Sequence, residues 1–407
     1  MNFGLLTDSL TISAKKLVAI TLLISSTLVW FFFLDFYYEN IFSSFINSTS
    51  GIYVGKVLFL GSAALSAIIG SLISERISRR KFLYTWMTFG LFVALSLAIF
   101  QGFTFFLVVS VLLGISIGLG FPSCIAFLAD STTAEERGRV SGIVILATFL
   151  VVFPVVIIPS ELGFGATAVI ILFLVRLTGF SALFIDPVNR EHGKISSWKA
   201  ILTEKKFYYY ILPWLLVNTA DGLRLLIWGN FQQFPDYNDI LMLGYYVRYL
   251  GVGFFGFIAG VIADRIGRKK PIYVALFLMA ISFAFLGYIS TISMLLFLIV
   301  SGVGWSFLFV VYFSVFGDIA SKHSKERYYA LGWIAPIAIL MGFSSLTGVF
   351  QIDAPVEIVS IFLSIVVFLS IIPVFFAQET LSESSLRARN LKEYLKKVGD
   401  IKKEVES

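Results

Sequence analysis

Twelve apolar stretches recur along this chain, each long enough to cross about 30 Å of hydrocarbon as a helix rising about 1.5 Å per residue. They cover approximately 17–38, 52–74, 82–100, 104–128, 138–159, 164–185, 207–229, 240–263, 271–290, 293–317, 328–350 and 356–377. Each is continuously apolar, without the every-other-residue alternation of a membrane β-barrel. With 58% of 407 residues hydrophobic and 14% charged, too little polar surface remains to cover a soluble protein. A soluble enzyme, a disordered regulator and a disulfide-stapled scaffold are thereby excluded. The single cysteine, Cys124, permits no intrachain disulfide.

A net charge of +6 could suggest a nucleic-acid partner, but the placement of the 31 Lys and Arg assigns it to topology. With the N-terminus in the cytoplasm, all but Lys56, Arg176, Arg224 and Arg248 fall in the N-terminal arm, the cytoplasmic loops or the C-terminal tail. The external loops hold no Lys or Arg, yet contain Asp236, Asp239, Asp353 and Glu357. This asymmetry predicts a multi-pass protein of the cell membrane with both termini cytoplasmic. The first apolar run is too long for a cleavable signal and reads as an anchor. The expected organisation is a cytoplasmic arm (1–16), a six-helix half (17–189), a cytoplasmic linker (190–206), a second six-helix half (207–380) and an amphipathic cytoplasmic tail (381–407).

An internal repeat supports two halves. Glu75-Arg76-Ile77-Ser78-Arg79-Arg80-Lys81 follows the second apolar run, and Asp264-Arg265-Ile266-Gly267-Arg268-Lys269-Lys270 follows the eighth, 189 residues later. At nearly the same offset, Asp130 with Glu136-Arg137-Gly138 and Gly142 is echoed by Asp318 with Glu326-Arg327-Tyr328 and Gly332. Because six is even, the two halves share one orientation.

On these residues the chain resembles the major facilitator superfamily over its whole length. Gly260-x-x-x-Asp264-Arg265-x-Gly267-Arg268-Lys269 matches the superfamily's loop motif at every key position. The first copy departs from it, with Ser71 in register with Gly260, Glu75 for the acid and Ser78 for the turn glycine. The resemblance implies an all-α membrane protein of twelve transmembrane helices in two parallel six-helix halves. It also implies that Glu75, Arg76, Arg79, Arg80, Gly260, Asp264, Arg265, Gly267, Arg268 and Lys269 form gating loops whose ion pairs break and remake as the halves rock. Helices 1, 4, 7 and 10 are then expected to line a central cavity.

An ionisable side chain at mid-membrane costs about 2.5–3.5 kcal/mol on insertion scales, so each one retained there is a candidate site residue. Asp35, Asp221, Arg224, Arg176 and Arg248 are the candidates for substrate binding or proton coupling, whereas Lys56 and Glu39 lie near helix ends and read as snorkelling. Asp221 and Arg224, three apart on one helical face, could equally form a local structural pair. Asp35 and Arg224 occupy equivalent positions in the two halves and are expected to face each other or the solute. Asp35 is the proton-site candidate, with Arg176 or Arg248 as alternative structural partners. Four bases against three acids leave one positive charge over, which points to an anionic metabolite. A neutral sugar held by aromatics with Asn218 or Trp214 is the competing reading.

The expected function is secondary active transport of a small organic solute, a metabolite, organic anion or sugar, by proton-coupled symport with alternating access. A uniporter or exporter of the same fold, or a non-transporting membrane sensor, are the alternatives. No enzyme is expected: the histidines, His192 and His323, lie in polar loops, and neither a metal-ligand cluster nor a nucleotide-binding glycine loop is present. The partners are the solute, H+ and the lipid bilayer, with no cofactor, no nucleic acid and a monomeric chain.

Overall fold

The computed structural model describes residues 10–43, 46, 48–99, 102–163, 165–186, 197–321, 323–349, 355–382 and 398. His192, the first part of the expected linker (190–196) and nearly all of the expected amphipathic tail lie outside them. The described residues are almost entirely helical. The first half comprises α1 (Ala14–Ser43), α2 (Thr49–Arg76), α3 (Arg79–Ser96), α4 (Phe103–Gly118) continued by α5 (Phe121–Ser131), α6 (Arg137–Leu162) and α7 (Gly165–Ile185). After the short α8 (Trp198–Leu202) come α9 (Lys205–Leu223) continued by α10 (Leu225–Trp228), α11 (Tyr237–Ile266), α12 (Lys269–Phe285), α13 (Thr291–Ile319), α14 (Lys325–Val349), and α15 (Val356–Leu369) continued by α16 (Ile371–Phe376). Counting each continued pair once, the order matches the twelve apolar stretches of the sequence.

Among the described residues, nine of these stretches are long and apolar enough to cross a bilayer. The other three, α3, α12 and α14, open on charged turns at Arg79-Arg80-Lys81, Lys269-Lys270 and Lys325-Glu326-Arg327. Phe92, Phe184, Leu65, Ile170, Phe254 and Phe375 stand more than half exposed on the outer surface. In water each would forfeit about 1.5–3 kcal/mol of burial; against lipid that penalty vanishes.

Within the first half α1 packs on α6 and α7, and α2 on α4; within the second α11 packs on α13, and α12 on α13 and α15. The halves meet along two helix pairs, α2 with α14 and α6 with α11. Small residues make the closest approaches. A Cβ on Gly118 would lie 1.9 Å from the Ala63 carbonyl oxygen, and one on Gly260 2.2 Å from that of Gly138 across the boundary between halves.

Three of the expected continuous helices are broken, the twelfth at Ser370, where Pro373 has no N–H to carry the ladder on from Leu369. The fourth run parts at Leu119-Gly120, where Pro122 has no N–H to carry the ladder on from Gly118. The seventh parts at Arg224, whose backbone caps α9 and opens α10. Just before that break Gly222 meets the Phe343 ring, which a Cβ would approach to 2.3 Å.

Candidate functional site

Between the halves lies a cavity of about 600 Å³, walled by α1, α2, α4, α5 and α6 on one side and α9, α10, α11, α13 and α14 on the other. It reaches the surface at Glu39 and Asn40, both exposed, at the end of the bundle opposite the basic loops. Nearer that mouth the wall is charged, with Asp35, Lys56, Asp221, Arg224 and Arg248. Deeper in it is aromatic: Trp214, Trp305, Phe309 and Trp333 come from the second half, Phe32 and Phe149 from the first. Phe309 stacks on Trp333 (centroids 5.7 Å, 17° apart) and meets Trp305 at 5.5 Å and Phe32 at 6.2 Å, so the floor is continuous across the boundary. Trp214 is fixed by its indole N–H, which donates to the Gly332 carbonyl at 2.7 Å.

Four of the five candidate charges of the sequence line this cavity; Asp221 and Arg224 pair locally, while Asp35 takes a partner other than those expected. Asp35 does not pair with Arg176 or Arg248; its carboxylate faces Lys56 Nζ at 3.8 Å. Lys56, expected to snorkel outward, instead turns into the cavity, because Asp35 on α1 offers a nearby counter-charge. Asp35 and Arg224 share the wall, but Arg224 donates from Nε to Asp221 at 3.0 Å, and its guanidinium lies over the Trp228 ring at 4.8 Å. The local-pair reading of Asp221 and Arg224 therefore holds, inside the cavity wall and at the break between α9 and α10. Arg248 lines the cavity with no ion pair to any described residue.

Arg176 is elsewhere. It is fully buried inside the first half, its guanidinium over Trp86 (4.3 Å) and Trp30 (4.9 Å), donating to the backbone and hydroxyl oxygens of Ser116. No carboxylate pairs with it among the described residues. Indole faces and a carbonyl take the place of a counter-ion. The surplus base counted from the sequence is thus sealed behind the wall, and the cavity itself holds Asp35, Glu39 and Asp221 against Lys56, Arg224 and Arg248.

At the basic end the cavity is closed by ion pairs between the halves. Arg79 donates to Asp130 (2.8 Å) and across the boundary to Glu326 (2.6 Å). Lys325 reaches Asp130 at 2.7 Å, and Arg327 grips Glu75 with two bonds of 2.6 and 2.7 Å. On the other side Arg268 donates to Asp318 (3.0 Å) and Asp264 (2.7 Å), Arg137 pairs with Asp318, and Arg139 reaches Asp264 at 3.3 Å. Asp264 also accepts from the backbone N–H groups of Gly138 and Arg139, each at 2.8 Å. Glu379 caps the loop before α12, accepting from the backbones of Arg268 (2.8 Å) and Lys269 (3.1 Å).

Six of the motif residues named from the sequence enter this closure: Glu75, Arg79, Gly260, Asp264, Arg268 and, through its backbone, Lys269. Gly267 supplies the turn at φ +93°. Arg76 and Arg80 are exposed, with Arg80 lying over Tyr84 at 5.7 Å, and Arg265 is half-buried at the end of α11. The partners Asp130, Arg137, Arg139, Asp318, Lys325 and Glu326 were not among the residues singled out for gating. Their signal was in the repeat, in a different register. The contacts match Arg137 with Lys325 and Arg139 with Arg327, rather than Glu136-Arg137 with Glu326-Arg327.

A polar, charge-lined cavity between two pseudo-equivalent helical bundles, open at one end and closed by ion pairs at the other, is the arrangement of a membrane transporter. The sequence profile of the Major Facilitator Superfamily matches residues 17–335, and the chain belongs to that superfamily of secondary transporters. A search of curated proteins finds no match. Among solved structures the chain is similar to the crystal structure of the human organic anion transporter MFSD10 (TETRAN). The TM-score is 0.69 at 15% identity, covering 88% of this chain and 99% of that one. At that identity the likeness speaks for the fold.

Proposed function

We propose that this chain moves a small organic solute across the cell membrane by proton-coupled symport, alternating between the conformation described here and one open at the basic end. The basic end is cytoplasmic, by the confinement of Lys and Arg to its loops. The observation that carries the proposal is one ion pair. Asp35 and Lys56 stand 3.8 Å apart in the wall of the open cavity, with the Asp35 side chain 34% exposed, while the paired charges of the closed end are nearly all buried. A pair in the wall of the open cavity is within reach of the outside medium; the buried lattice is not. Protonating Asp35 removes its charge and frees Lys56, so proton occupancy and the cavity's field change together. Closure over solute and proton then requires the lattice at the far end to part, a switch between two sets of contacts.

Reconstituted in proteoliposomes, the protein is expected to accumulate solute when the outside is acidic. Asp35→Asn is expected to lose uphill accumulation and keep solute counterflow. Accumulation by Asp35→Asn at the wild-type level refutes the proton site, and wild-type uptake indifferent to any ion gradient leaves a uniporter.

A further inference from the structure

The cavity's two tiers point to a particular chemistry of solute. Arg248 lies about three helical turns along α11 from its open end, and Trp305 and Phe309 about four to five turns along α13, so the charged tier stands above the aromatic floor. In the charged tier Asp35 is matched by Lys56 and Asp221 by Arg224, while Glu39 stands exposed at the mouth. Arg248 is the base of that tier that no described carboxylate claims. Its stem packs against α13, where a Cβ on Gly302 would come within 2.9 Å of Arg248 Cγ, and its guanidinium lies in the cavity lining. Tyr245, one turn away on α11, lines the same cavity.

We infer that the site takes an organic monoanion with a flat apolar body, its carboxylate on Arg248 beside Tyr245 and its ring against the floor of Trp305, Phe309 and Trp333. This deepens the transporter reading and rests on it. A guanidinium recognises a carboxylate through paired N–H donors, and a ring gains area and quadrupole contacts on an aromatic floor. The competing sugar needs many neutral hydrogen-bonding side chains. Apart from tyrosines and tryptophans the wall offers Thr27, Asn40 and Asn218; the Thr27 hydroxyl already donates to the Leu23 carbonyl and the Asn218 amide to that of Trp214 at 2.7 Å, which leaves Asn40 and the unpartnered indole N–H groups of Trp305 and Trp333, too few for a ring of hydroxyls. Short hydrophilic acids would meet Arg248 but leave the floor bare.

The test is equilibrium binding to the purified full-length chain by thermal shift and tryptophan fluorescence, with no gradient present. Phenylpropionate, acetate, phenylpropanol and glucose are the probes. Phenylpropionate is expected to bind at least about tenfold more tightly than each of the others, since only it engages both tiers. Arg248→Gln should weaken phenylpropionate by about tenfold or more while leaving phenylpropanol unchanged, and Arg248→Lys should recover part of the loss. Equal affinity for acid and alcohol in the wild type, tighter binding of glucose, or an Arg248→Gln chain that keeps its acid affinity would each overturn the inference. Should Arg248→Gln not fold, the wild-type ranking decides alone. Phenylpropionate that binds as expected but is never moved in proteoliposomes sinks the transporter reading and spares the site; glucose flux does the reverse.

Discussion

The two copies of the basic loop occupy equivalent places, yet they carry load differently, and one methylene accounts for much of it. Asp264, the shorter acid, stays close to its own helix end. It accepts from Arg268 one turn on and from the two backbone N–H groups that open α6 in the other half. Glu75, the longer acid, reaches across and is gripped by Arg327 through two bonds. Arg79, equivalent to Arg268, thereby loses its local acid and takes Glu326 from the opposite half. Glu326 has no acidic counterpart on the other side, where Gly138 stands at the matching position. The pairs Arg79 with Asp130 and Arg268 with Asp318 repeat faithfully, as do Lys325 with Asp130 and Arg137 with Asp318. A sequence departure that looked like decay of the motif is thus a redistribution of the same closure. The second copy fastens backbone to carboxylate; the first fastens side chain to side chain.

The sharpest way to break this comparison is to neutralise the two acids in turn. Asp264→Asn leaves Arg268 buried with half its neutralisation gone and weakens two backbone bonds, a loss of about 3–5 kcal/mol from the closed basic end. Glu75→Gln removes a pair whose side chains are 8% and 13% exposed, and the remaining amide still accepts one bond, so about 1–3 kcal/mol is expected. The readout is maleimide labelling of a cysteine introduced at Ser141, fully buried behind the gate, in a chain whose buried Cys124 is replaced by serine. Labelling should rise far more for Asp264→Asn than for Glu75→Gln. Equal rates would mean that the two loops share the load evenly.

A smaller effect separates the turns. Gly267 sits at φ +93°, and a Cβ there would stand 2.4 Å from the Glu379 carboxylate. Gly267→Ala is therefore expected to lower stability by about 1–2 kcal/mol from backbone strain, with further loss from displacing Glu379. At the matching place Ser78 has an ordinary φ of −58°, so Ser78→Gly should cost under about 1 kcal/mol, from chain entropy alone. Thermal unfolding of the two variants side by side checks the contrast; a Gly267→Ala chain as stable as Ser78→Gly would show that the glycine is dispensable.

The twelve apolar runs and the repeat were legible in the sequence because hydrophobic length and charge placement are properties of the chain itself. The partners of the intramembrane charges were not. Lys56 lies near the expected end of its run, where snorkelling and inward pairing look alike, and only the approach of α1 to α2 brings Asp35 within 3.8 Å. Arg176 sits among apolar neighbours in sequence, so nothing there distinguishes a cavity face from a wall of Trp30 and Trp86. The break at Arg224 has no proline to announce it. Next to it Phe343, more than a hundred residues away in sequence, is seated against Gly222. The gate was legible as motif residues and illegible as pairs, because each acid had several bases within plausible reach.

The smallest effect tests whether the first half has an extra fastening that the second lacks. Glu136, the residue before α6, accepts from Thr11 through both backbone N–H and hydroxyl at 2.5 Å, tying the N-terminal arm to the gate. Burial pushes its carboxyl up, but the bonds from Thr11, Thr133 and Ile12 outweigh burial and hold it below the usual glutamate range. A carboxyl lowered on folding contributes stability that is complete above its unfolded value and fades as pH falls through the folded one. The tie should therefore be intact at neutral pH and released only on the acidic side of the ordinary glutamate range. Thr11→Val removes one of the bonds, is expected to loosen the arm by about 0.5–1.5 kcal/mol, and moves the release to higher pH. Fluorescence from a probe on a cysteine placed at Ser13, followed from neutral to acidic pH, reports the release. A midpoint that Thr11→Val leaves in place would show that the arm is held by something other than Glu136.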